Sequence, residues 1–446
     1  MPASSIAVAT EGGARPRPAA TTVVVQPAAP SFLRRWIRSQ AMNGACHKEA
    51  LRPFRQGEFG TGMASPTEAH RAAANALINA LRTPLGDVTR SFAAAAARAA
   101  EQPMPERLET FTTRKEDAQR LVEAVEKVWN FYFELFNQRQ TQLAPYLLAS
   151  DRIALDCYQV VYTNLGRARS IPSPPPFSYM EGGFGPATFR RNVLLTKLGK
   201  LANPFPLVKL PYHRLVNPWT LGAIPHEVSH NIQSDLGLWT AIPRQLFRTL
   251  RGMGIPRATS LTWARWHKEM FADLLGVLLI GPAFVSSLMD IVAKSPYATT
   301  AFNPRGVHPT PYLRVFIDLE LLGRMNFPDD TQAMRRAWTR LYSNGPGSVI
   351  PRPMLDTFGD AVHAVVEVMC FQKHEQLGGK SLAEVVCFAP RHQVMVHEAA
   401  ERLAAGVDPG ILPERFLIAA ARSAHDQRLA TPSAISTNFY EALGRR

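Results

Sequence analysis

The chain has 446 residues, 46% of them hydrophobic, and a formal net charge of +14, which excludes collagen-like and low-complexity classes and leaves ample apolar material for a core. The basic excess is spread thinly, with no long run of like charge and no interleaving of aromatic and basic residues, so nucleic acid is not an expected partner. Cys46, Cys157, Cys370 and Cys387 are far apart and form no CxxC pair, which argues against a cysteine zinc site or a disulfide framework and for a reducing, cytoplasmic setting.

Residues 1–60 begin with a Pro-, Ala- and Thr-rich stretch that has no basic segment leading into an apolar run, so they are expected to be a disordered basic tail and not a secretory signal. Within them Phe32-Leu33-Arg34-Arg35-Trp36-Ile37-Arg38 is a basic amphipathic patch suited to peripheral membrane contact, a solvated arm being the plainer alternative. Residues 61–165 read as an N-terminal helical region. An Ala-rich helix follows Ser65-Pro66 as far as about Ala100, and Thr113-Arg114-Lys115-Glu116 reads as a capping box opening another. Leu121, Val125, Val128, Tyr132 and Leu135 then form a helical stripe expected to pack into a core.

Residues 166–345 hold the chemistry. The Pro- and Gly-rich stretch from Ile171 to Pro186 reads as a linker or wrapping loop. Phe205 to Pro211 is the clearest strand material, and Pro206 and Pro211 demote it to an edge strand or extended segment, where an extended peptide could add as a further strand. Two short helices, Ile242–Leu250 and Leu261–Trp266, are expected before Glu269. Leu274 to Met289 is uncharged, but Gly281-Pro282 interrupts it and it is shorter than the roughly 20 residues that span a bilayer, so it reads as a core helix and its sequel. Helical periodicity recurs over 311–325 and 330–342. Beyond Gly345-Pro346-Gly347, residues 346–446 form a C-terminal helical region with helices near Met354–Phe371, Arg391–Ala405 and Pro413–Ala424. The expected fold is therefore α+β and predominantly helical, with a small sheet beside the helix described next.

Pro225-His226-Glu227-Val228-Ser229-His230 contains an HExxH motif. On a helix His226 and His230, at i and i+4, present two imidazoles to one metal ion, and Glu227 is placed to act as base on a water at its open position. The motif helix either continues from Asn217-Pro218 and is kinked by Pro225, or starts at Pro225; both versions keep the two histidines on one face. Glu269 and Asp273, again at i and i+4, lie at the start of a strongly apolar helical run. Glu269 can be the third ligand, and Asp273 can accept the other N–H of a ligand imidazole and fix its tautomer. His308 and Arg314 follow, either of which can stabilise an oxyanion.

In this order, HExxH, Glu269-Met270-Phe271-Ala272-Asp273 and His308 through Arg314 resemble the HExxH, ExxAD and HPxxxxR pattern of the gluzincin metallopeptidases, nearest to the family of the CAAX prenyl protease and the bacterial heat-shock membrane protease. The resemblance covers roughly residues 175–345. It implies a zincin-like core with Zn2+ on His226, His230 and Glu269, Glu227 as catalytic base, Asp273 behind the ligands, and His308 with Arg314 assisting substrate or transition state. The expected partner is then a peptide or protein substrate. This chain departs from the family in lacking a transmembrane segment and in having Pro225 directly before His226. Two other readings of the same residues stay open: a metal-stabilised helical scaffold without turnover, and a basic helical protein that binds anionic partners. Composition says nothing of oligomeric state.

Overall fold

The computed structural model describes residues 30–167, 171–343 and 349–446. They form a predominantly helical α+β protein. Helix α1 (Pro30–Ala50) is followed by the long helices α2 (Glu68–Glu101) and α3 (Pro105–Asn137), and the chain divides into two compact units, one containing α1 and Thr83–Val122, the other Leu51–Arg82 and Glu123–Arg446.

In the first unit Leu33, Ile37 and Ala41 recur at i, i+4 along one face of α1 and meet Phe92, Ala96 and Phe111. Phe92 stacks on Phe111, with Trp36 edge-on to the same ring. The tail expected over residues 1–60 is thus a helix from Pro30 to Ala50, because the patch over 32–38 has an apolar face with somewhere to go; residues 1–29 lie outside the described residues. Helix α3 also starts earlier than the capping box at Thr113 suggested. Leu108 and Phe111 already extend its apolar stripe, so the helix opens at Pro105, which needs no N–H partner there.

The second unit continues with α4 (Ala144–Asn164), strands β1 (Phe177–Met180), β2 (Ala187–Phe189), β3 (Leu194–Leu195), β4 (Leu201–Ala202) and β5 (Leu207–Leu210), and the short helix α5 (Tyr212–Leu215). Then come α6 (Ala223–Asp235), α7 (Leu238–Gly252), α8 (Arg257–Ile280), α9 (Pro282–Val292), α10 (Pro296–Thr300), α11 (Pro311–Arg324) and α12 (Pro328–Leu341). The chain closes with α13 (Arg352–Asp356), α14 (Phe358–Val366), α15 (Leu382–Val385), α16 (Pro390–Ala404), α17 (Phe416–Asp426) and α18 (Pro432–Arg445).

β5 is not an edge. It lies between β1, to which it runs parallel, and antiparallel β2, while β3 and β4 pair separately. Pro206 and Pro211 fall just outside Leu207–Leu210 and cost the ladder nothing, so the outer strands are β1, whose free side is covered by Gln138, Arg139 and Asp151, and β2. Alternation along β5 sends Leu207 into an aromatic cluster with Phe54, Phe136, Phe177 and Phe205, and Val208 and Leu210 to the other face, into the cluster that holds Val228 and Ile232 of α6.

α8 is one helix, not a short one followed by another. No proline lies between Pro256 and Gly281 and no glycine before Gly276, and Trp263, Trp266, Met270, Leu274 and Val277 keep it buried along its length. Conversely, the helix expected over 354–371 is divided: the Thr357 hydroxyl donates to the Pro353 carbonyl and closes α13, α14 follows, and a wide turn over Glu367–Phe371 ends the run. The helices of residues 346–446 share one hydrophobic core with α4, α6, α8 and α11, running from Leu143 to Leu443. No described helix is long and apolar enough to cross a membrane.

Gly281 separates α8 from α9 at φ 62°, ψ −141°, a region open essentially to glycine, and a Cβ there would overlap the Phe388 ring. Gly281→Ala is expected to lower unfolding free energy by about 1–3 kcal/mol from backbone strain, with the clash in addition; a midpoint unchanged in urea titration would contradict this.

Candidate metal centre

The motif helix starts at Ala223, so Pro225 falls in its first turn, where amide hydrogens have no intrahelical acceptor and the missing one is not felt. There is no kink. Ile224, Val228 and Ile232 are fully buried on one face of α6. The other face presents His226 and His230, their rings 4.8 Å apart and nearly perpendicular. Asn231 donates to the Thr188 hydroxyl at 2.7 Å and to the Glu227 carbonyl at 3.2 Å, which holds the edge strand β2 against this helix.

α8 packs along α6 and brings two carboxylates to the histidines. Glu269 Oε2 is 3.5 Å from His226 Nε2, and Glu269 Oε1 is 3.6 Å from His230 Nε2. Both are long for a hydrogen bond. They fit another arrangement, since two ligand atoms about 2.0–2.1 Å from a tetrahedral zinc stand roughly 3.3–3.4 Å from each other. One ligand atom from each of His226, His230 and Glu269 falls within 4.8 Å of the others, and this is the one such group among the described residues. Asp273 Oδ1 lies 2.8 Å from His226 Nδ1. With the proton on Nδ1, Nε2 is left as a lone-pair donor toward Glu269, the tautomer a metal requires. The donor set of two imidazoles and a carboxylate fits zinc with a position left open.

The charges are balanced from α11. Arg314 Nε binds Asp273 Oδ2, and Arg314 Nη2 reaches Asp273 Oδ1 at 2.9 Å and Glu269 Oε2 at 3.4 Å. Two of its three nitrogens are therefore engaged behind the ligands. His308, on the loop before α11, is largely exposed, with Nε2 3.4 Å from Glu269 Oε2. His226, Glu227, Glu269, His308 and Arg314 all line one cleft of about 180 Å³. A larger and more open hollow of about 610 Å³ near Tyr146, Trp219 and Tyr440 contains none of them.

Protonation follows from burial and these neighbours. Burial alone would depress the His226 imidazolium, but the hydrogen bond to Asp273 and the nearby Glu269 carboxylate outweigh it and lift the group to about 10. His230 is driven down to about 3 by burial and then by the charge on His226. Burial also pushes the Glu227 carboxyl up to about 7, opposed by His226 and reinforced by Glu269. Glu269 is buried too, yet His226 and Arg314 hold it well below the usual carboxylate range. The site thus stabilises one positive charge between His226, His230 and Glu269, as a proton or as a metal cation.

Every residue expected at the site from sequence is in this group: His226, Glu227, His230, Glu269, Asp273, His308 and Arg314. One participant was not expected. Asp318, one turn beyond Arg314 on α11, is fully buried with both oxygens unpartnered among the described residues, and burial followed by the nearness of Asp273 pushes its carboxyl well above the ordinary range. Its signal was present in the sequence as an acid flanked by Ile317 and Leu319 within an apolar stripe. His267, near the motif in sequence, turns Nδ1 to the Ala264 carbonyl and takes no part.

Compared with family models, with curated proteins and with solved structures, the chain matches none.

Proposed function

We propose that the chain is a zinc-dependent metallopeptidase of the gluzincin type, with a zincin-like core built on α6 and α8, related to the CAAX prenyl protease and heat-shock membrane protease family. The observation that carries this reading is the convergence of His226, His230 and Glu269 on one point, with Glu227 beside it and Asp273 behind His226. Zinc held there supplies Lewis acidity, which makes water nucleophilic near neutral pH and polarises a carbonyl. Glu227 accepts the proton of the attacking water and returns it to the nitrogen of the departing amine. His308, at the mouth of the cleft, donates to the oxygen of the carbonyl under attack. Asp273 keeps His226 in its ligating tautomer, and Arg314 holds Asp273 and Glu269 in register. Cys157 and Cys370 are buried free thiols and Cys46 and Cys387 are exposed ones, which supports a reducing, cytoplasmic setting.

The test is metal content. Elemental analysis should find about one zinc per chain in the wild type and close to none in His230→Ala, with the helical circular dichroism unchanged. No zinc in either protein after metal repletion would end this reading.

A further inference from the structure

We propose that Arg190 and Lys268, which share the ring of Trp239, form an anion site outside the metal cleft. It receives an Asp or Glu side chain of the substrate, roughly two to four residues from the scissile bond on one side. This rests on the peptidase reading above. The Arg190 guanidinium lies 4.0 Å from the centre of the indole and the Lys268 ammonium 4.6 Å from it. Both positive charges bear on one half-buried ring whose edge is itself positive, and an anion seated at that edge is attracted by all three. His267, edge-on at 5.9 Å, keeps the indole in place.

Three elements set this cluster beside the metal centre. Arg190 donates to the Ser234 hydroxyl at 3.0 Å, and Ser234 is one turn beyond His230 on the same face of α6, about 6 Å along the helix. Arg190 also follows directly on β2, and Gly185 and Pro186, which lead into that strand, line the cleft. Lys268 immediately precedes Glu269 on α8. A peptide that crosses the metal centre and runs along β2 advances about 3.3 Å per residue, so a side chain a few residues from the cut comes level with the cluster.

The cluster is short of counter-charge. Among the described residues, neither Arg190 nor Lys268 has a carboxylate within ion-pair distance. Asp235, whose charge bears on Arg190, is held by the neighbouring Arg191 at 3.3 Å. Glu269 is turned to the histidines and Arg314. Burial pulls the Arg190 guanidinium below its ordinary range, with Asp235 opposing. One cation over an indole is ordinary surface packing. Two unpaired cations on the same indole repel each other, and a carboxylate between them turns that repulsion into attraction. A substrate Lys or Arg there would add a third like charge.

Zinc-loaded wild type should be given a library of C-terminally amidated peptides, so that side-chain carboxylates alone are read, and the cut sites determined by mass spectrometry. At one position in that range Asp and Glu are expected over Asn and Gln by about tenfold in kcat/KM, mostly through KM. The advantage should shrink as sodium chloride is raised from about 0.05 to about 0.5 M. The double variant Arg190→Gln/Lys268→Glu should move the preference at that position to Lys and Arg, a change that general loss of structure would not produce. A second readout needs no turnover. By fluorescence anisotropy, zinc-loaded Glu227→Gln should bind the best acidic peptide about tenfold tighter than its amide counterpart, and adding the two substitutions should remove the difference. Cleavage without an acidic preference, or a preference that the double variant keeps, overturns the anion site and leaves the peptidase standing. Equal binding of the two peptides also overturns the anion site. Absence of cleavage, with or without zinc, overturns both.

Discussion

Glu227→Gln is expected to lower kcat/KM on a peptide substrate by about 10²–10⁴-fold while leaving zinc at about one per chain. The substitution keeps the size and shape of a side chain that is only 6% exposed, and it keeps a hydrogen-bonding oxygen at the cleft. What it removes is the capacity to take up a proton. The metal should stay, because Glu227 is not among the three groups whose ligand atoms converge, and none of those is altered. The measurement pairs a fluorogenic peptide assay with elemental analysis of the same preparations. A zinc-loaded Gln variant that still turns over would remove Glu227 from the role of base. Zinc in both proteins and turnover in neither would favour a metal-stabilised scaffold.

Arg314→Met should cost about 3–5 kcal/mol of folding stability, read as a fall in the urea midpoint at neutral pH without a change in slope. Methionine keeps the apolar stem and removes the guanidinium, so most of the loss is electrostatic, with a small gap where the guanidinium stood. It leaves Asp273, 1% exposed, with His226 as its remaining partner, and takes a cation away from Glu269. Asp318 lies close by, but burial and then the nearness of Asp273 push its carboxyl well above the ordinary range, so it adds no charge to the imbalance. The double variant Arg314→Met/Asp273→Asn should recover much of the loss, because the damage comes from an uncompensated buried charge and not from a missing attraction. A cost below about 1 kcal/mol for the single variant would mean that water reaches the pair and screens it.

The site was legible because helix geometry is local. Two histidines at i and i+4 must share a face, and so must Glu269 and Asp273; only the docking of α6 on α8 was left for tertiary structure to supply. The carboxylate contacts of Arg314 were hidden, since they depend on what lies across the gap between α11 and α8, whereas Asp318 was marked by its apolar flanks and passed over. In the fold, helical stripes were readable and boundaries were not. Leu108 and Phe111 carry α3 back past a sound capping signal, and Ile37 has a burial site that makes a helix of an expected tail. β5 was misread for a related reason. Its prolines were visible, but whether they sat inside or just outside the ladder depended on how far β1 and β2 extend.

Helices α17 and α18 anchor beside the motif helix and under α8. Arg415, just before α17, pairs with Asp156 and donates to the Leu279 carbonyl at 3.3 Å; Ser436 donates to the Val216 carbonyl at 2.7 Å, and Tyr440 to that of Leu215. This has a consequence for synthesis on the ribosome. By the time Arg314 has left the exit tunnel, His226, Glu227, His230, Glu269 and Asp273 are already outside, yet the helices packed beneath them have not been translated. A chain cut short before Phe416 is therefore expected to carry the motif residues without the packing that holds them.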